Sequence, residues 1–368
     1  MKDFKYWKKQ HDSEQLDEFN SNPSGLLWLK VKSILRKELI AEFIKETQLS
    51  LKETALSKQF IEIYALLDQN TLQSHQILDN FIRQINSKQA SALDTQQLVS
   101  ELYKLKNFDW GGDYQNSLDK YLVSRYVKVH KSYDTLISKF ESEINIAVQG
   151  YVLNSWYNHW TSILIEHIFK SHSTVLPTVG QIKSVDFFIN DIPFDLKVTY
   201  LPTEYIKEKR KEKGHPVELT FLKKKAEEAK VVFDKKAKDS DIYYEIVEKM
   251  KDKGDKFCLD VLAELKNQKL NIFEEAQQNP KTLATWLYEN QGEMRFGSEN
   301  RLFLVLVDTD DFNNSWKLKR NLDLLKPTIQ NYLDNFGTKN VQDLQVNFGY
   351  KGKPQTFTAL TDIIFIKK

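Results

Sequence analysis

A single cysteine, Cys258, is all this chain has of that residue, which excludes an internal disulfide framework and a cysteine-based zinc site. It is read as a buried or neutral thiol in a reducing compartment. Long apolar runs are missing too. The longest clean one is Leu302–Val307, far short of the ~20 residues a membrane-spanning helix needs, so no membrane partner is expected. Met1-Lys-Asp-Phe-Lys5 is charged and leads into no apolar h-region, so no signal peptide is expected and the expected location is cytoplasmic. An excess of one charge is also absent: the net charge is only +2, so any nucleic-acid surface must come from local clustering. There is no phosphate-binding Gly-x4-Gly-Lys-Ser/Thr loop and no glycine motif of a helicase or methyltransferase, so the chain carries no engine of its own. With 41% hydrophobic and 28% charged residues, the chain is globular rather than disordered.

Proline and glycine are scarce at the N-terminal end, where Pro23 is the one proline before residue 150. Leu27, Val31, Ile34, Leu35, Leu39 and Phe43 form a helical stripe, and similar stripes run through Phe60–Ile85, Leu93–Leu105 and Leu118–Val148. Asn22-Pro23-Ser24-Gly25 and Trp110-Gly111-Gly112-Asp113 are the breaks. Residues 1–150 therefore read as an α-helical domain. A further helix is expected over Leu153–Lys170, then strands over Thr174–Val179 and in a hairpin. A Lys/Glu-rich helical insertion follows at about 201–296, then a buried strand at Arg301–Val307 and a helix over Leu318–Phe336. Val341–Phe348 and Thr356–Ile366 close the chain as strands, or as a strand and a short helix. Residues 151–368 then form a mixed α/β (α+β) domain.

The hairpin carries the chemistry. Ser184–Ile189 and Ile192–Thr199 are mostly β-branched or aromatic, and Asn190-Asp191 is a two-residue turn pair. With that turn, Ile189 faces Ile192, Phe188 faces Pro193, Phe187 faces Phe194 and Asp186 faces Asp195. Directly opposed residues have Cβ atoms about 4.5–5.5 Å apart, and like charges there are destabilising. A divalent cation between the two carboxylates is the simplest reason for such a pair. Lys197, two residues beyond Asp195, returns to the same face of its strand.

Ile165-Glu166-His167 on a helix, then Val185-Asp186-Phe187, then Phe194-Asp195-Leu196-Lys197 resembles the PD-(D/E)xK nuclease superfamily, the restriction-endonuclease-like fold. The resemblance covers roughly Leu153–Tyr200, with Arg301–Leu333 completing the sheet, and Val185 stands where the family has its proline. It implies a core of one acidic helix and a three-strand meander. It also implies a Mg²⁺ ion (or Mn²⁺ in its place) held by Asp186, Asp195, the Leu196 carbonyl and Glu166, with Lys197 orienting or deprotonating the attacking water. The expected activity is hydrolysis of double-stranded DNA by a type II restriction or related anti-phage nuclease, acting as a homodimer and with a possible partner protein of a defence system. Glu264-Leu265-Lys266 matches the short motif as well, but on a helix with no partner hairpin.

Other patterns are weaker. Arg125 and His130 fit the R-x4-H spacing of HEPN ribonucleases, which keeps a ribonuclease or toxin as an alternative, beside a non-catalytic DNA-binding subunit. Lys183, Lys207, Lys209, Arg210, Lys211, Lys223 and Lys224 are candidate phosphate contacts, although interleaved glutamates mark the same stretch as a solvated helix face. Asp308, Asp310 and Asp311 read as a polar turn, and His159, His167 and His172 as polar-face residues lacking a third ligand's geometry.

Overall fold

The computed structural model describes residues 2–13, 15–108, 117–290, 299–350 and 353–368, with the side chains of Gln181, Ser240 and Lys353 left out. The Trp110–Asp113 break and the end of the 201–296 insertion lie outside these residues. The chain divides into two compact units. The first holds Met1–Leu196, Ser298–Asn300 and Asn313–Asn340; the second holds Lys197–Gly297, Arg301–Phe312 and Val341–Lys368. Six strands in the order β1-β2-β3-β4-β6-β5 make a mixed sheet.

In the first unit the helices are α1 (Phe4–Asp12), α2 (Pro23–Ser33), α3 (Lys37–Thr47), α4 (Leu56–Leu67), α5 (Thr71–Ser91), α6 (Thr95–Leu102), α7 (Leu118–Leu122), α8 (Tyr133–Lys139) and α9 (Asn145–Lys170). Strands β1 (Val175–Ile182), β2 (Val185–Ile189) and β3 (Ile192–Tyr200) follow, the last continuing beyond the unit. The expected boundary at residue 150 falls inside α9. The helices α1–α5 share one core with the sheet: Trp7, Phe19, Leu27, Trp28, Phe43 and Phe81 cluster with Leu176, Val179, Val185 and Phe188. The stripe from Leu27 to Phe43 is not one helix. It breaks after Ser33, where Arg36 is extended, because β1 runs hard against the bend: a Cβ on Gly180 would lie 2.2 Å from the Ser33 carbonyl oxygen. The start of α2 follows its sequence signal, with the Asn22 side chain accepting from the Gly25 N–H at 3.2 Å and Pro23 at the first helical position.

In the second unit, α10 (Thr203–Glu212), α11 (Glu218–Glu228), α12 (Asp239–Lys253), α13 (Lys256–Gln278) and α14 (Pro280–Asn290) supply the expected helical insertion. Within it α11–α13 close a small core of their own around Leu222, Ile246, Met250 and the buried Cys258, whose thiol pKa burial pushes up. β4 (Arg301–Val307) is buried along nearly its whole length and runs parallel to β6 (Lys353–Lys367), which pairs antiparallel with β5 (Gln345–Tyr350). Back in the first unit, the stretch read as one helix over Leu318–Phe336 is a 3₁₀ segment, Phe312–Arg320, followed by α15 (Leu322–Asn335) with Pro327 inside it. The strand read from Val341 starts later, because Val341–Leu344 forms the short helix α16 before β5.

Candidate active site

The hairpin is built as its residues dictate. Asn190 and Asp191 both take left-handed backbone angles, φ 48° and 64°, which a two-residue type I′ turn requires and which Asn and Asp tolerate better than other side chains. The ladder pairs Ile189 with Ile192, Phe188 with Pro193 and Phe187 with Phe194, the expected register. Phe187, Phe188 and Phe194 are fully buried, each contributing about 1.5–3 kcal/mol by leaving water. Phe169 of α9 stacks on Phe187 with centroids 5.1 Å apart and planes 13° apart, which fixes the Glu166 helix against β2.

A second restraint comes from a residue that sequence reasoning missed. Lys30 of α2 is wholly buried, and its ammonium bonds Asp79 of α5 and Asp191 of the hairpin turn, both at 2.8 Å. No local signal marks it, since the Asp191 partner lies 161 residues away.

Asp186 and Asp195 lie one step past the last ladder pair. There the strands are joined through a side chain, as Asp186 Oδ2 accepts the Leu196 N–H at 2.8 Å. Asp195 is only 7% exposed. Its own N–H donates to the Asn300 carbonyl at 2.9 Å, and the Asn300 amide donates to the Pro193 carbonyl at 2.9 Å and bonds Asn20. Asn300 thus holds the acidic strand on both sides of Phe194. Its only trace in the sequence is a polar pair, Glu299-Asn300, set directly before the apolar run of β4. Lys197 is exposed on β3, two residues beyond Asp195.

Glu166 lies on the expected helix. It is half-buried on α9 and pairs with Lys170 one turn on, at 2.7 Å. Among the described residues no group of three or more His, Cys, Asp or Glu side chains is placed to hold a metal ion, so Glu166, Asp186 and Asp195 do not form a closed cage. The carboxylates of Asp186 and Asp195 on neighbouring strands, the first bonded to the Leu196 N–H, remain. That donor set fits Mg²⁺, which commonly takes one or two carboxylates and completes its octahedron with water and substrate phosphate.

The basic candidates separate into several kinds. Arg210 is 2% exposed and spends its guanidinium on the Pro216 carbonyl, at 3.0 Å, and on Gln268, so it is a structural residue and not a phosphate contact. Lys207, Lys209 and Lys223 pair with Glu204, Glu212 and Asp239. Lys183, at the β1–β2 turn, and Lys211 and Lys224, on α10 and α11, are exposed. Arg125 is exposed in a π-helical turn, Val123–Val127, and the His130 ring lies on Tyr126 with centroids 6.4 Å apart. Asp308 accepts the N–H groups of Asp310 and Asp311 and pairs with Lys368 at 3.0 Å, the expected polar turn. His172 bonds Thr174 and Asp334, and burial lowers the pKa of His167. No helix among the described residues is long and apolar enough to cross a membrane. Comparison with protein-family models, curated proteins and solved structures finds no match to this chain.

Proposed function

We propose that the chain is a Mg²⁺-dependent DNA endonuclease of the PD-(D/E)xK kind, a restriction or related anti-phage nuclease that works as a homodimer. The observation that carries this reading is the Asp186 carboxylate bound to the Leu196 N–H beside the buried Asp195, on a hairpin fixed in register from both ends. Asp186, Asp195 and the Leu196 carbonyl would hold the ion, which when bound neutralises phosphate charge and makes an attacking water more acidic. Lys197 then orients that water and offsets negative charge gathering on the phosphate oxygens. Glu166, tied to Lys170, acts from α9 through water rather than as a direct ligand. Lys183, Lys211 and Lys224, which are exposed, would meet the backbone of duplex DNA.

The reading is tested by incubating the purified chain with plasmid, phage DNA and RNA in Mg²⁺ or Mn²⁺. Wild type should cut DNA and stop when the ion is chelated. Asp195→Asn should fall to background, and Lys197→Ala should lose about 10²–10⁴-fold in rate. Full cleavage by Asp195→Asn overturns the assignment. RNA cleavage abolished by Arg125→Ala would move the activity to the helical region.

A further inference from the structure

Nine of the nineteen large apolar side chains exposed among the described residues fall within residues 123–153, so this stretch is an unpartnered surface and not scattered noise. Five of them follow helical spacing. Tyr133, Ile137 and Phe140 recur at four and three residues along α8 and the π-helical turn after it, and are 76%, 46% and 42% exposed. Ile146 and Leu153 recur at seven along α9.

The charges around this surface are sorted by sign. Arg125, Lys128 and Lys131 lie at its start with no acidic residue among them. Asp134, Glu141 and Glu143 follow, with Lys139 already paired to Glu143 at 2.6 Å. Lys128, Lys131, Asp134 and Glu141 enter no ion pair among the described residues. A segment basic as far as Lys131 and, apart from the paired Lys139, acidic from Asp134 on complements an antiparallel copy of itself, because a two-fold axis lays each part on the opposite part of the partner. Membrane-surface helices carry basic residues throughout their polar face, which this one does not.

We infer that the face formed by residues 123–153 is the interface between two copies of this chain, packed antiparallel about a two-fold axis. The inference goes beyond the nuclease reading and holds whether or not the chain cuts DNA.

Sedimentation equilibrium of the full chain at micromolar concentration tests it. Wild type should be a dimer. Ile137→Glu combined with Phe140→Glu should weaken the dimer by about tenfold or more while circular dichroism stays unchanged, since both side chains are exposed. The arrangement is tested by two charge-reversed chains. One carries Lys128→Glu and Lys131→Glu, the other Asp134→Lys and Glu141→Lys. Each alone should dimerise poorly, and mixing them should restore a heterodimer. A monomeric wild type, a dimer untouched by the apolar pair, or no recovery on mixing overturns the proposal. So does a monomer that binds anionic vesicles through this face.

Discussion

At the scale of single residues, the buried cations set the tests. Burial pushes the Lys319 ammonium down to about 8, with its Nζ donating to Asn158 Oδ1 at 2.9 Å. The folded value lies below the ordinary 10.5, so between about 8 and 10.5 the unfolded chain holds the proton more strongly. Stability should therefore rise with pH through that window, and the charged form is a burden near neutrality. Lys319→Met should be more stable than wild type by about 2 kcal/mol near pH 7, with the gain vanishing toward pH 10. Urea denaturation at both pH values checks the slope. The positions of Asp186, Asp195 and Lys197 on a hairpin could be read from the sequence because turn chemistry and strand period are local. Arg210 and Lys30 could not. Arg210 stands in a run of lysines, and only the helical spacing from Ile206 shows that it turns inward with Tyr205 and Ile206. Lys30 depends on a carboxylate 161 residues away, which no window of sequence contains.

At the scale of elements, β1 tolerates no side chain where it passes the end of α2. Gly180→Ala would push a Cβ into the Ser33 carbonyl, backbone against backbone, where neither atom can swing aside. A loss of about 1–3 kcal/mol is expected, with a lowered denaturation midpoint as the readout. The same approach explains why the Leu27–Phe43 stripe misled: the spacing of apolar residues is continuous across the bend, and only the neighbouring strand imposes the break. The β2–β3 hairpin and β4 were legible, the first from Asn190-Asp191 and the second from an apolar run bounded by polar residues. The helical turn at Val341–Leu344 was not, since Leu344, Val346 and Phe348 alternate as a strand does and carry that pattern back into the turn.

At the scale of the whole molecule, the near-neutral net charge leaves any phosphate contact to local clusters, and on the nuclease reading the exposed Lys211 and Lys224 belong to one. Under the proposed reading, DNA affinity should fall as salt rises. Lys211→Glu combined with Lys224→Glu should lower the slope of log K against log salt by about 2, measured by fluorescence anisotropy. The division of the chain was hidden from the sequence because α1–α5 read as a bundle, whereas their apolar faces are completed by Leu176, Val179, Val185 and Phe188. The Lys30 clamp also has a kinetic consequence. The type I′ turn closes over two residues and can form within microseconds, whereas the ammonium reaches Asp191 only after a loop of some 160 residues has closed. The hairpin should thus acquire its pairing early and its anchor late, so Lys30→Met should hasten the loss of amide protection across Val185–Ile189 while hardly slowing its gain. The buried lysine acts as a latch on a hairpin already folded.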